Sequence, residues 1–140
     1  MAATMVSQRT RAFARVMGPW LVMVPGIIAI RAPYMDALAT GFFANAVFIG
    51  FGGALLLLLG LIIIAFHQYW SNLAAILISA FGWFLALRGL VLLAVPGWYD
   101  RAAAAMSAVW LIQLLFAVIV VMGLYLAYVG WIARPPVADP

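Results

Sequence analysis

Residues 72–95 form a run of 24 almost wholly apolar residues broken by a single charge, Arg88. About 20 residues cross the ~30 Å hydrocarbon core of a bilayer as a helix, so this run is long enough to span. A charged side chain at such depth is expensive and by default marks a candidate functional position. Other apolar stretches accompany it: 70% of the 140 residues are hydrophobic and only 7% are charged, against roughly half and a quarter in a soluble domain. One modest water-soluble core cannot absorb that excess. The expected fold is an all-α membrane protein, a single domain of four transmembrane helices.

The spans fall at about 13–30, 46–66, 71–95 and 103–133, with a polar N-terminal segment at 1–12 and a flexible tail at 134–140. Pro19 and Pro25 lie inside the first span. Each removes a backbone donor, and in a membrane neighbouring helices re-satisfy the freed carbonyls. A secretory signal peptide is the competing reading of this stretch; 28–32 is a poor cleavage site and Pro33 follows it. The apolar stretch 37–66 would be about 45 Å long as one helix, too long for an upright crossing. It therefore divides into a turn or short interfacial helix over 37–44, Asn45 as N-cap, and the second span proper.

Arginine placement sets the orientation. Arg9, Arg11, Arg15 and Arg134 lie on one side of the four spans, while Arg31 and Arg101 lie on the other beside Asp36 and Asp100. The positive-inside rule then places both termini in the cytoplasm. Trp20, Trp70, Trp98 and Trp131 sit near span ends, where interfacial aromatics belong.

On the third span Ser71, Ala75, Ser79, Gly82, Ala86 and Gly89 recur at helical spacing and fall on one narrow stripe. Small residues on a stripe let backbones approach closely, which drives helix packing in lipid. Ala46, Gly53 and Gly60 form a matching seam on the second span, and Gly123, Ala127 and Gly130 a shorter one on the fourth. Arg88 lies off the stripe, on the face of Trp70, Leu77, Phe81 and Phe84. Both faces cannot point at the centre of one four-helix bundle.

The residues able to carry chemistry are few. Arg88 has Asp36, Asn45, Asp100 and Gln113 as candidate polar partners on its half of the membrane, and it either pairs with one, snorkels, or meets an anion or lipid headgroup. Gln113 suits interhelical hydrogen bonding and Asn45 a helix cap. His67, with Trp70, is expected at the interface, capping the second span where a cation complements the helix dipole.

The negatives are informative. Cysteine, lysine and glutamate are absent. No disulfide or thiol chemistry is available, and one histidine with three aspartates cannot assemble a metal centre within the protomer. No cofactor is indicated. No aspartate lies inside a span, so a buried carboxylate for proton coupling is missing. The chain has the size and helix number of small multidrug resistance transporters but lacks the intramembrane glutamate of their first helix. No serine–histidine arrangement with an orienting acid is expected on one membrane side, and the scattered arginines form no nucleic-acid-binding patch.

His67-Gln68-Tyr69-Trp70, then Ile76-Leu77-Ile78-Ser79-Ala80-Phe81-Gly82-Trp83, Arg88-Gly89 and Pro96, together with Phe42-Phe43-Ala44-Asn45, make a pattern over about 13–96. It resembles small bacterial inner-membrane proteins with no assigned function: His-x-x-Trp, a Gly-Trp pair, a basic residue followed by Gly, and a terminal Pro. The resemblance implies a multi-pass protein of the bacterial inner membrane with a basic residue at the Arg88 position, and it supplies no activity. The expected function is non-catalytic: a structural or accessory component, not an enzyme, with the lipid bilayer and a second copy or a membrane-protein complex as partners. The alternative is a small transporter or channel in which Arg88 contacts an anionic solute or lipid headgroup.

Overall fold

The computed structural model describes the backbone of residues 2–34, 36–95, 97 and 109–133, and the side chains of 8–34, 38, 40–95, 97, 110, 111 and 113–133. All regular structure among them is helical: α1 (Ala2–Arg31), a 3-10 turn (Ala32–Tyr34), α2 (Asp36–Phe43), α3 (Ala46–Phe66), α4 (Leu73–Ala94) and α5 (Val109–Ala127), which runs on as a π turn (Tyr128–Ile132). Four stretches, Gln8–Tyr34, Ala46–Phe66, Leu73–Ala94 and Gln113–Ile132, are long and apolar enough to cross a membrane.

Local chemistry sets the ends. The Asn45 side chain accepts from Val47 N–H at 2.9 Å, and that of Asn72 accepts from Ala75 N–H at 2.9 Å. Both satisfy donors left open at a helix start. Asn72 therefore begins α4, which leaves Ser71 outside the helix and exposed. Val95 closes α4 with its N–H on the Val91 carbonyl just before Pro96, since a residue preceding proline avoids helical backbone. Residues 2–12, assigned to a polar segment, are helical and continuous with α1. Residues 103–108 and the tail from 134 lie outside the described residues.

The helices pack as two pairs, α3 on α4 and α1 on α5, with lesser contact between α1 and α4. The α3/α4 seam is a close backbone approach. A Cβ added at Gly60 would meet the Ala86 backbone, with Cα at 2.7 Å, and one at Gly89 would meet the Leu57 backbone, with the Gly53 carbonyl oxygen at 2.7 Å. Ala75, Ser79, Gly82, Ala86 and Gly89 of α4, and Gly53 and Gly60 of α3, are all buried, whereas Ala46 is exposed. The α1/α5 seam is equally tight: Gly18 faces Ala127, Gly123 faces Leu21, and Gly130 faces Ala14 and Arg15.

The face of α4 away from its stripe divides. Leu77 and Phe81 pack on the core that joins the pairs, where Ala14, Met17 and Leu21 meet Ile63, Ala74, Ile78, Leu85 and Leu126. Phe81 also meets Trp20 of α1 edge-on, ring centroids 6.4 Å apart. Phe84 and Arg88 remain exposed, as does Trp70 in the turn before α4.

Candidate functional site

The two helix pairs share one buried polar junction, at the end where α1 is near its start and α3 gives way to α4. The His67 backbone N–H closes α3 on the Ile63 carbonyl at 2.7 Å, which turns the chain back and directs the ring inward. One ring nitrogen, Nε2, lies 3.0 Å from Thr10 Oγ1 of α1; the other, Nδ1, lies 3.2 Å from Ser79 Oγ of α4. Phe13 meets the imidazole edge-on at 5.2 Å and Tyr69 does so at 5.3 Å. His67 and Ser79 are 0% exposed and Thr10 is 3% exposed.

Ser79 is the hub. Its Oγ accepts from Tyr69 N–H at 3.2 Å, and the carbonyls of Tyr69 and His67 lie 3.0 and 3.2 Å away as acceptors for its single proton. The small stripe on α4 thus includes one residue whose role is polar: it fastens the 67–72 turn onto the helix. At the rim Arg9 Nη1 reaches the Tyr69 hydroxyl at 3.5 Å.

The electrostatics follow from burial. Desolvation pushes the His67 imidazole below its ordinary pKa, only partly offset by a backbone hydrogen bond. Hydroxyls either donate or accept, so Thr10 and Ser79 satisfy the neutral ring without supplying the negative charge that would stabilise a cation. His67 does cap α3 through its backbone, and its ring is buried inside the protein, where loss of water disfavours the cation that would complement the helix dipole. A serine–histidine contact forms because the short turn returns α4 alongside the end of α3. Its third member is a threonine rather than an acid, and the enclosed Ser79 Oγ meets no surface. The arrangement is suited to fastening three segments together.

Of the other sequence candidates, Asn45 and Gln113 bond backbone groups. Arg88 is exposed on α4. Asn45 caps α3, and Gln113 Nε2 donates to the Ala29 carbonyl of α1 at 3.4 Å. The side chains of Asp36 and Asp100 lie outside the described residues, as does Asp139.

Sequence reasoning missed a second polar set, shared between α1 and α5. Pro19 has no N–H for the Arg15 carbonyl four residues back, and Trp131 Nε1–H donates to that carbonyl at 3.2 Å. Pro33 likewise leaves the Ala29 carbonyl, the one Gln113 reaches. In return, Gly130 of α5 accepts from two α1 side chains, Arg11 Nε at 3.1 Å and Arg15 Nε at 2.9 Å. Ala133 N–H bonds the Tyr128 carbonyl, a π register. The proline rule fixes the Arg15 and Ala29 acceptors four residues before Pro19 and Pro33; the donors, on another helix, were not readable from the sequence.

Comparison of the chain with protein-family models, with curated proteins and with solved structures finds no match.

Proposed function

We propose that this chain is a non-catalytic integral protein of the bacterial inner membrane, a structural or accessory component that packs with itself or with a larger membrane complex. Both termini are assigned to the cytoplasm, where Arg9, Arg11, Arg15 and Arg134 outnumber Arg31 and Arg101, and α2 is assigned to the opposite interface.

The observation that carries the reading is where the polar side chains go. Among the described residues, no buried side-chain nitrogen or oxygen lacks a hydrogen-bond partner. Thr10, His67 and Ser79 bond one another or the adjoining turn, while Arg11, Arg15, Gln113 and Trp131 serve carbonyls of the facing helix. Groups committed in this way hold helices in register and are not free to relay a proton or escort a solute. Arg88 apart, the outward faces of the described spans carry exposed apolar side chains such as Leu58, Leu87, Leu90, Val118 and Val121, a surface suited to lipid or to another helix.

The test is purification from the native membrane in mild detergent, expected to yield an oligomer or a co-purifying membrane protein. A lone monomer by native mass spectrometry counts against the reading. Anion flux into liposomes that Arg88→Gln abolishes while assembly persists replaces it with a transporter or channel. A reporter fused at Pro140 is expected to report the cytoplasm.

A further inference from the structure

We propose that Arg11 and Arg15 form a binding site for the phosphate of an anionic phospholipid headgroup, at the membrane surface nearest the start of α1. The two arginines are one helical turn apart and converge on a single acceptor, the Gly130 carbonyl oxygen, at 3.1 and 2.9 Å. Their Nε atoms are therefore no more than about 6 Å apart, a range at which like charges repel, and residues with that spacing on a helix destabilise it when their charges match. A lone carbonyl dipole does not neutralise two cations, and no acidic side chain is among the described ones. A bound anion would offset that repulsion.

The geometry also leaves the right atoms for it. Each guanidinium uses Nε on the carbonyl, which leaves the paired Nη groups that match phosphate oxygens. Gln8, Arg11, Ala12 and Arg15 line an open depression of about 470 Å³ at this point. Trp131 anchors Arg15: the guanidinium lies 5.9 Å from its ring centroid, and the indole N–H holds the Arg15 carbonyl.

Depth favours a lipid as the source of the phosphate. Arg11 and Arg15 stand near the beginning of the apolar stretch Gln8–Tyr34, and Trp131 near the end of Gln113–Ile132. This is the headgroup level, where tryptophan collects and basic side chains attract anionic lipid. The inference needs the four helices to cross a membrane; it does not depend on the accessory reading, and a failed search for a protein partner leaves it standing.

The experiment is native mass spectrometry of the full chain released from nanodiscs of mixed phosphatidylglycerol and phosphatidylcholine. Wild type is expected to retain phosphatidylglycerol in preference, and R11Q/R15Q to lose that retention by about tenfold. R31Q, which removes a charge from the other end of α1, is expected to retain as wild type does. R11K/R15K keeps the charge but loses the Nε anchor and the fork, and is expected to fall between the two; it also keeps the test decisive if the glutamine pair fails to fold. Undiminished phosphatidylglycerol in R11Q/R15Q, or an equal loss in R31Q, overturns the site. Full displacement by millimolar inorganic phosphate with no preference between the lipids overturns the lipid assignment in favour of a free anion.

Discussion

The two helix pairs solve the same packing problem with different materials. In α3/α4 the backbones meet through small residues, Gly53, Gly60, Gly82, Ala86 and Gly89, on helices free of proline. In α1/α5 glycines again permit close approach, but α1 carries Pro19 and Pro25, and Trp131 from the facing helix donates to the Arg15 carbonyl that Pro19 leaves open. Close approach alone suffices where each helix satisfies its own backbone. Where it does not, the approach has to place donors as well, and side chains such as Trp131, Arg11 and Arg15 acquire positions that hydrophobicity would not give them. The His67 junction then fastens one pair to the other.

The largest effect is expected at the α3/α4 seam. Gly60→Leu places a branched side chain into the Ala86 backbone, which cannot yield as a flexible side chain would; the cost is about 3 kcal/mol or more. Gly50→Leu is the control, since a Cβ there meets nothing within 4 Å, and it should be near neutral. Reversible unfolding in mixed micelles measures both. Equal stability of the two variants would break the description of α3/α4 as a backbone-contact pair.

Next comes the link between the pairs. Ser79→Ala removes the acceptor for Tyr69 N–H and the partner of His67 Nδ1 together, leaving buried polar groups unmatched. A loss of about 1–3 kcal/mol is expected. Ser79→Ala no more costly than Ala80→Ser, at an exposed neighbouring position, would show that packing and not hydrogen bonding holds the junction.

His67 adds a pH dependence with a definite sign. Its pKa in the folded protein is lowered by burial, so the unfolded chain takes up a proton near the ordinary value of about 6.5 while the folded protein does not. Stability from this group is fully present above that pH and declines as pH falls below it toward the folded value. Unfolding midpoints followed from about pH 8 to pH 5 should fall in wild type and stay flatter in His67→Gln. Parallel curves would remove His67 as the source.

How much of this was open to sequence reasoning depends on whether the information is local. Length and hydropathy are local, and the four apolar helices follow from them. The spacing of small residues on 75–89 identifies which side chains share a face of α4, because helical periodicity needs no knowledge of the neighbour. Ser71 shows the limit: it continues the numerical spacing, but the Asn72 cap starts the helix after it. His67 and Thr10 lie 57 residues apart, and nothing in either neighbourhood announces the contact. A histidine at a helix end looks like a capping cation until the packing of Phe13, Tyr69 and Ser79 around it removes the water.

The smallest expected effect is the sharpest test of how the pairs differ. Trp131→Phe keeps an aromatic ring near Arg15 but deletes the donor to the Arg15 carbonyl; interhelical hydrogen bonds in membranes average about 0.6 kcal/mol, and a loss of that order is expected. Pro19→Ala restores a backbone N–H four residues after Arg15, so the carbonyl regains a donor within its own helix. In that background Trp131→Phe should cost almost nothing, and the double-mutant cycle should return a coupling close to the single-variant loss. If the two substitutions are additive instead, Trp131 does not compensate Pro19, and α1/α5 is held as α3/α4 is, by close packing alone.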